Sequence, residues 1–215
     1  MEKIIEIIGK TPLKDFIPQK YTNRLKILNL SSGEYFHYSE KELNSTFFLI
    51  EGMIQIKQTT QDGVDLNYIL LDNFNVVGEK KLLFGKEGGV DFYTIRDKTK
   101  ILEIPLDIGI KLIKNDKFKI FLLKLHCEKL HKFVWDISIL HFKGVKKFLA
   151  HNILTYSTDD KFRFKNMSFL SEILSIDRKS LYSAVKKLEE KKLIIRENKI
   201  IKILDRKKLE EYIKI

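Results

Sequence analysis

The side chains in this sequence that can do chemistry are donors more than nucleophiles. Residues 178–187 read RKSLYSAVKK, and Arg178, Lys179, Ser180, Tyr182, Ser183, Lys186 and Lys187 place guanidinium, ammonium and hydroxyl groups along one short stretch. A guanidinium can form two parallel hydrogen bonds to guanine O6 and N7. An ammonium neutralises phosphate and releases its condensed counterions. Ser180 and Tyr182 suit phosphates or thymine methyl groups. Lys186 and Lys187, with Arg196 and Lys199 further on, suit a nucleic-acid backbone. For each lysine taken singly, a solvated helix face is the alternative. No Ser/His/Asp arrangement, phosphate loop or metal-ligand spacing stands out, so no catalytic residue and no metal site is expected.

These donors need elements to hold them. Met167 to Leu193 has Phe169, Leu170, Ile173 and Leu174 at helical spacing, then Leu181, Ala184, Val185 and Leu188 in the same pattern. Between the two runs, Ser175-Ile176-Asp177 can close one helix and cap the next, because Asp accepts first-turn N–H groups. This is the length of a helix-turn-helix, whose second helix can lie in a major groove; an ordinary helical hairpin is the alternative. The residues behind it favour the first reading. Leu193 to Ile195 and Lys199 to Leu204 read as two short strands, with Arg196-Glu197-Asn198 as the turn. Two helices followed by a β-hairpin make a winged helix.

Charge follows the same division. The formal net charge is +11; residues 144–215 hold 18 Lys and Arg against 10 Asp and Glu, whereas residues 1–143 hold 22 against 19. A basic excess around such a motif suits a polyanion. One cysteine, Cys127, excludes an internal disulfide. The sequence has no 18-residue apolar run to span a membrane and no apolar leader with a cleavage site at its start, so a soluble, cytoplasmic protein with no membrane partner is expected.

Ahead of the motif the pattern changes twice. From about Leu25 to Pro105, short apolar runs alternate with turn signals such as Ser31-Ser32-Gly33-Glu34, Glu51-Gly52 and Gln61-Asp62-Gly63. This spacing predicts an antiparallel barrel or roll. From about Asn115 to His141 the helical period predicts one helix of some 27 residues, roughly 40 Å long. Along it Ile120, Leu123, Cys127, Leu130, Val134, Ile137 and His141 alternate steps of three and four, which is a heptad seam. Phe118, Leu122, Leu125, Phe133 and Leu140 form a second apolar face suited to the roll. The seam is expected to meet the same helix of a second subunit, since no other long helix is available to cover it. A buried helix in a monomer is the alternative.

The order of parts resembles the bacterial cyclic-AMP receptor protein/fumarate-nitrate regulator (CRP/FNR) family over about residues 20–205. The resemblance rests on Gly33-Glu34, Glu51-Gly52, Gly63 and Gly78-Glu79 in the roll, the long helix, and the segment Leu170 to Leu204. It implies an α+β chain: an N-terminal antiparallel β-roll of the cyclic-nucleotide-binding, jelly-roll type (1–114), a dimerisation helix (115–142) and a C-terminal winged helix-turn-helix (143–215). It further implies a homodimeric transcription regulator whose partners are near-palindromic double-stranded DNA, with half-sites roughly 34 Å apart, and RNA polymerase.

The resemblance also locates an effector pocket, tentatively Gly78, Glu79, Val90, Asp91, Phe133 and Val134. Cyclic-nucleotide members follow Gly-Glu with an Arg for the phosphate and carry a Thr-Ser pair on the long helix. Here Leu82 to Asp91 contains no Arg, Val90 and Asp91 fall near the phosphate position, and Phe133-Val134 replaces Thr-Ser. Asp91 would repel a phosphate; Lys80, Lys81 and Lys86 read as solvated loop residues, with a point charge for the phosphate as the alternative. Cyclic AMP is therefore not expected. A single cysteine cannot hold an iron–sulfur cluster, and His37, the one roll histidine, reads as a strand residue and not as a haem ligand. The cofactor is unknown; a small apolar or acidic effector, or none, remains open, as does a thiol switch at Cys127. On the recognition helix Arg178 matches the family pattern, whereas Lys179 replaces its Glu and Ser183 its later Arg, so the operator should differ from the TGTGA-type half-site. A second reading is a small-ligand or redox sensor whose C-terminal module has an architectural or protein-binding role.

Overall fold

The computed structural model describes residues 2–63, 65–86 and 89–214, without the side chains of Glu2, Lys3 and Tyr68. Glu87 and Gly88, in the stretch compared with the cyclic-nucleotide cassette, lie outside the described residues. The chain divides into two compact units, Met1–Leu130 and His131–Ile215.

In the first unit, α1 (Glu2–Gly9) and two 3-10 turns (Pro12–Asp15, Gln19–Arg24) precede eight strands: β1 (Lys26–Leu30), β2 (Tyr35–His37), β3 (Ser45–Glu51), β4 (Ile54–Thr59), β5 (Asp65–Leu71), β6 (Val76–Val77), β7 (Asp91–Thr94) and β8 (Thr99–Pro105). They form two antiparallel four-stranded sheets, ordered β1-β8-β3-β6 and β2-β7-β4-β5. Phe36 and Phe92 on one sheet meet Phe47 on the other at ring-centroid separations of 5.1 and 6.3 Å. Two helices that periodicity did not predict, α2 (Glu79–Phe84) and α3 (Leu106–Leu112), complete the roll.

The long helix α4 (Asp116–Ser138) crosses the boundary between the units. Its first turns seal the roll: Phe118 and Leu122 are buried in one cluster with Leu102, Ile108 and Leu112, and Leu125 packs against it. Burying each such side chain is worth about 1.5–3 kcal/mol. The second apolar face is therefore used as expected at its roll end. Phe133 and Leu140 belong to the other unit and are half-buried. The α-helix stops short of His141. Ile139–Lys143 is wound as a π turn, and α5 (Gly144–Tyr156) follows directly. A π turn takes more residues per turn, so the three-and-four spacing of the seam does not continue through it.

The second unit contains α5, β9 (Lys161–Arg163), α6 (Met167–Ile173), α7 (Arg178–Glu190), β10 (Ile194–Glu197), β11 (Ile200–Ile203) and α8 (Arg206–Lys214). The three strands form an antiparallel sheet, β10-β11-β9. Leu149, Ile153, Leu170, Leu181, Leu188, Ile201 and Leu209 are its fully buried centre. Among the described residues, no helix is long and apolar enough to cross a membrane.

Candidate nucleic-acid interface

α7 carries the donors singled out above, and its ends are set by local chemistry. Asp177 caps it, accepting from the Ser180 N–H at 2.9 Å. Those hydrogen bonds, from Ser180 first, hold the Asp177 carboxyl below its ordinary range. α6 is capped by Asn166, whose side chain accepts from the Phe169 N–H at 2.8 Å. Between the helices Ser175 takes a positive φ of 50°. The Ser171 hydroxyl donates to the Ile176 carbonyl at 2.8 Å, fixing the turn.

Leu181, Ala184, Val185 and Leu188 are buried, so the opposite face of α7 is turned out. Arg178, Lys179, Tyr182, Ser183, Lys186 and Lys187 are exposed, and Ser180 is half-buried. Lys187 is held by Glu190 at 2.9 Å, a surface pair that leaves it free to exchange partners. The wing turns at Asn198, φ 51°. Its Arg196 N–H donates to Glu189 at 2.8 Å, tying the wing to the end of α7. The Arg196 guanidinium lies over the Tyr182 ring at 5.7 Å, so these two predicted contacts are brought together. Lys199 is exposed beside the wing turn. A cavity of about 780 Å³ separates this turn from the start of α6, and Lys165, Asn166, Ser168 and Tyr182 line it with Glu197 and Lys199. Lys165, Asn166 and Ser168 were not singled out from the sequence. The signal available was the Asn166 cap, three residues before Phe169.

The seam residues, six on α4 and His141 on the π turn, are turned outwards. Ile120 is 64% exposed, Leu130 52%, Val134 61% and Ile137 49%, and Leu123, Cys127 and His141 are also exposed. Cys127, placed on the seam, is exposed within a single chain.

The effector-pocket residues divide between the units. Gly78 adopts φ 83°, and a Cβ there would lie 3.0 Å from the Ser45 carbonyl oxygen, so the chain needs glycine at this crossing. Glu79 is buried and engaged by α4: His126 Nδ1 stands 2.7 Å from its carboxylate, and the Lys129 ammonium bonds to it directly. Lys129 also donates to the Val76 carbonyl at 2.7 Å. Burial raises the Glu79 pKa, but His126 and Lys129 outweigh it, and the carboxyl is held below its ordinary range. Asp91 is buried at the start of β7, accepts from the Ser39 N–H at 2.7 Å and lies 3.6 Å from the Lys57 ammonium. Val90 is half-buried. Phe133, half-buried, and Val134, exposed, lie in the second unit. His37 is a buried strand residue packed on Phe92 at 5.3 Å. Among the described residues, no His, Cys, Asp and Glu are grouped to hold a metal ion.

No protein-family model and no curated relative matches the sequence. Solved structures do. A protein assigned to the CRP/FNR family from Eubacterium rectale superposes with a TM-score of 0.75 at 14% identity, over 96% of this chain and 100% of that one. A CRP/FNR-family regulator from Thermus thermophilus gives 0.69 at 17%, over 88% and 99%. The c-di-GMP-responsive global regulator CLP of Xanthomonas campestris gives 0.67 at 16%, over 85% and 95%. The chain thus has the fold of the CRP/FNR transcriptional regulators, a β-roll joined through a long helix to a winged helix-turn-helix, and the resemblance read from the sequence holds at the level of structure.

Proposed function

We propose that the chain is a cytoplasmic, homodimeric, sequence-specific DNA-binding transcription regulator, a binder and not an enzyme. The carrying observation is α7, which buries Leu181, Ala184, Val185 and Leu188 and turns Arg178, Lys179, Tyr182, Ser183 and Lys186 outwards beside a basic wing. Arg178 reads a guanine, Ser180 and Tyr182 meet phosphates or thymine methyl groups, and Lys186, Lys187, Arg196 and Lys199 neutralise phosphates. The apolar side chains exposed along α4 support pairing with the same helix of a second subunit. A two-fold dimer presents two copies of α7 and therefore reads a near-palindromic operator. Promoter binding brings it to RNA polymerase.

For the roll, we propose that cyclic AMP is not the effector. Glu79 already holds an ammonium and an imidazole, and Asp91 puts a carboxylate where a cyclic phosphate would need a cation. A ligand that leaves these pairs intact would be apolar. The same internal pairing equally supports regulation without a ligand.

Selection of genomic fragments followed by footprinting tests this reading. A protected palindrome on one DNA face is expected. Salt-sensitive binding with no sequence preference would sink it, leaving the architectural or protein-binding role for the C-terminal unit.

A further inference from the structure

The second unit contains a cleft whose lysines lie for the most part off the recognition helix. It has a volume of about 550 Å³ and lies where the start of α5, the first turns of α7 and the end of α8 meet. Lys143, Lys146 and Lys147 line it from the α5 side and Lys179 from α7, with the hydroxyls of Ser183 and Tyr212 on its wall. Among the described residues, no carboxylate lines it. The nearest along α7, Asp177, is occupied by the Ser180 N–H. Glu190, close enough to feel Lys146, is bonded to Lys187.

Lys143 is anchored, donating to the Ile213 carbonyl at 2.9 Å, and so fixes the end of α8 that carries Tyr212. The other three ammoniums have no carboxylate partner among the described residues. Four like charges around one concave surface raise its potential and favour an anion of more than one charge. The volume falls in the range of ligand sites, about 300–1,000 Å³. Lys146 and Lys147 lie off the recognition helix, so they supply charge without reading bases, whereas Lys179 and Ser183 belong to both surfaces.

We propose that this cleft binds phosphate groups, either in the DNA backbone beside the groove that α7 enters or in a free polyphosphate competing for the same place. The first source rests on the DNA-binding reading above; the second does not.

The test uses the full chain and the double variant Lys146→Gln/Lys147→Gln, with Lys207→Gln/Lys208→Gln on α8 as a charge-matched control outside the cleft. Circular dichroism checks that both fold. In one arm, affinity for a fixed duplex is measured by anisotropy across a salt series. The cleft variant should lose about 1–2 from the slope of log K against log salt, at about 0.9 per phosphate; the control should keep it. In the other arm, inorganic tripolyphosphate is titrated into the DNA-free protein by calorimetry. Saturable binding that only the cleft variant loses assigns the site to a free anion. A slope change alone assigns it to DNA. No change in either arm, or equal losses in the control, overturns the proposal, even if an operator has been found. Tripolyphosphate binding in a protein that ignores DNA would retain the cleft and reject the DNA-binding reading.

Discussion

Glu79 and Lys129 form an ion pair that is buried on both sides and joins residues 50 apart in the sequence. The pair sets the start of α2 against the middle of α4, and the Val76 carbonyl accepts a further hydrogen bond from the same ammonium. Removing one member of such a pair leaves the other charged in a dry site, which costs about 3–5 kcal/mol. Urea unfolding of Lys129→Met should register that loss, and Glu79→Gln/Lys129→Met should recover part of it. A double variant no better than the single one would mean that packing, not charge, dominates.

The same pair gives a pH dependence. The folded Glu79 carboxyl lies below its ordinary value, about 4.3 when unfolded. Its contribution is therefore fully present above that value and is lost as pH falls through the lower folded pKa. Unfolding free energy between neutral pH and pH 3 should decline more steeply in the native chain than in Glu79→Gln. Parallel profiles would contradict the assignment.

Arg178→Ala should weaken binding to the selected operator by about 1–3 kcal/mol and relax the preference at one base pair, with the dimer intact. Competition binding against single-base operator variants reads both effects. An unchanged preference would move the guanine contact elsewhere on α7.

A charge on the seam should separate the subunits. Leu130→Asp places a carboxylate among exposed apolar side chains of α4, where a partner helix would have to bury it. Sedimentation equilibrium should find a dimer for the native chain and a monomer for the variant, with operator affinity falling as the dimer is lost. A native monomer would reject the pairing.

Gly52 stands at φ 114°, and a Cβ there would run into Thr99, 2.9 Å from its Cα. Neither the backbone conformation nor the space admits a side chain. Gly52→Ala should cost about 1–3 kcal/mol by thermal or urea unfolding, through strain and overpacking in the roll. Loss of less than that would mean that the β3–β4 turn can relax.

What was legible in the sequence follows the range of the forces involved. The strands from β3 to β5, the wing and both helices of the motif carry periodicities or turn residues that act over a few positions. α2 and α3 are six and seven residues long, too short for a helical repeat to stand out, and they are held by tertiary packing: Gly109 of α3 lies against Leu82 of α2. The partner of Glu79 was illegible for another reason. Lys129 lies between Cys127 and Leu130 like any surface lysine, and only the approach of β6 and α2 dehydrates it. The cleft of the second unit was hidden in the same way, because Lys143, Lys179 and Tyr212 come from three separate helices.

The π turn at Ile139–Lys143 has a consequence for how insertions and deletions in this region should behave. It is a reserve of backbone slack, one peptide's worth, stored between Ile137, the last seam residue on α4, and α5. Deleting a single residue there should let the turn tighten toward ordinary α-helical winding, whereas a deletion between Leu130 and Ile137 has no slack to draw on and throws these two out of line with one another.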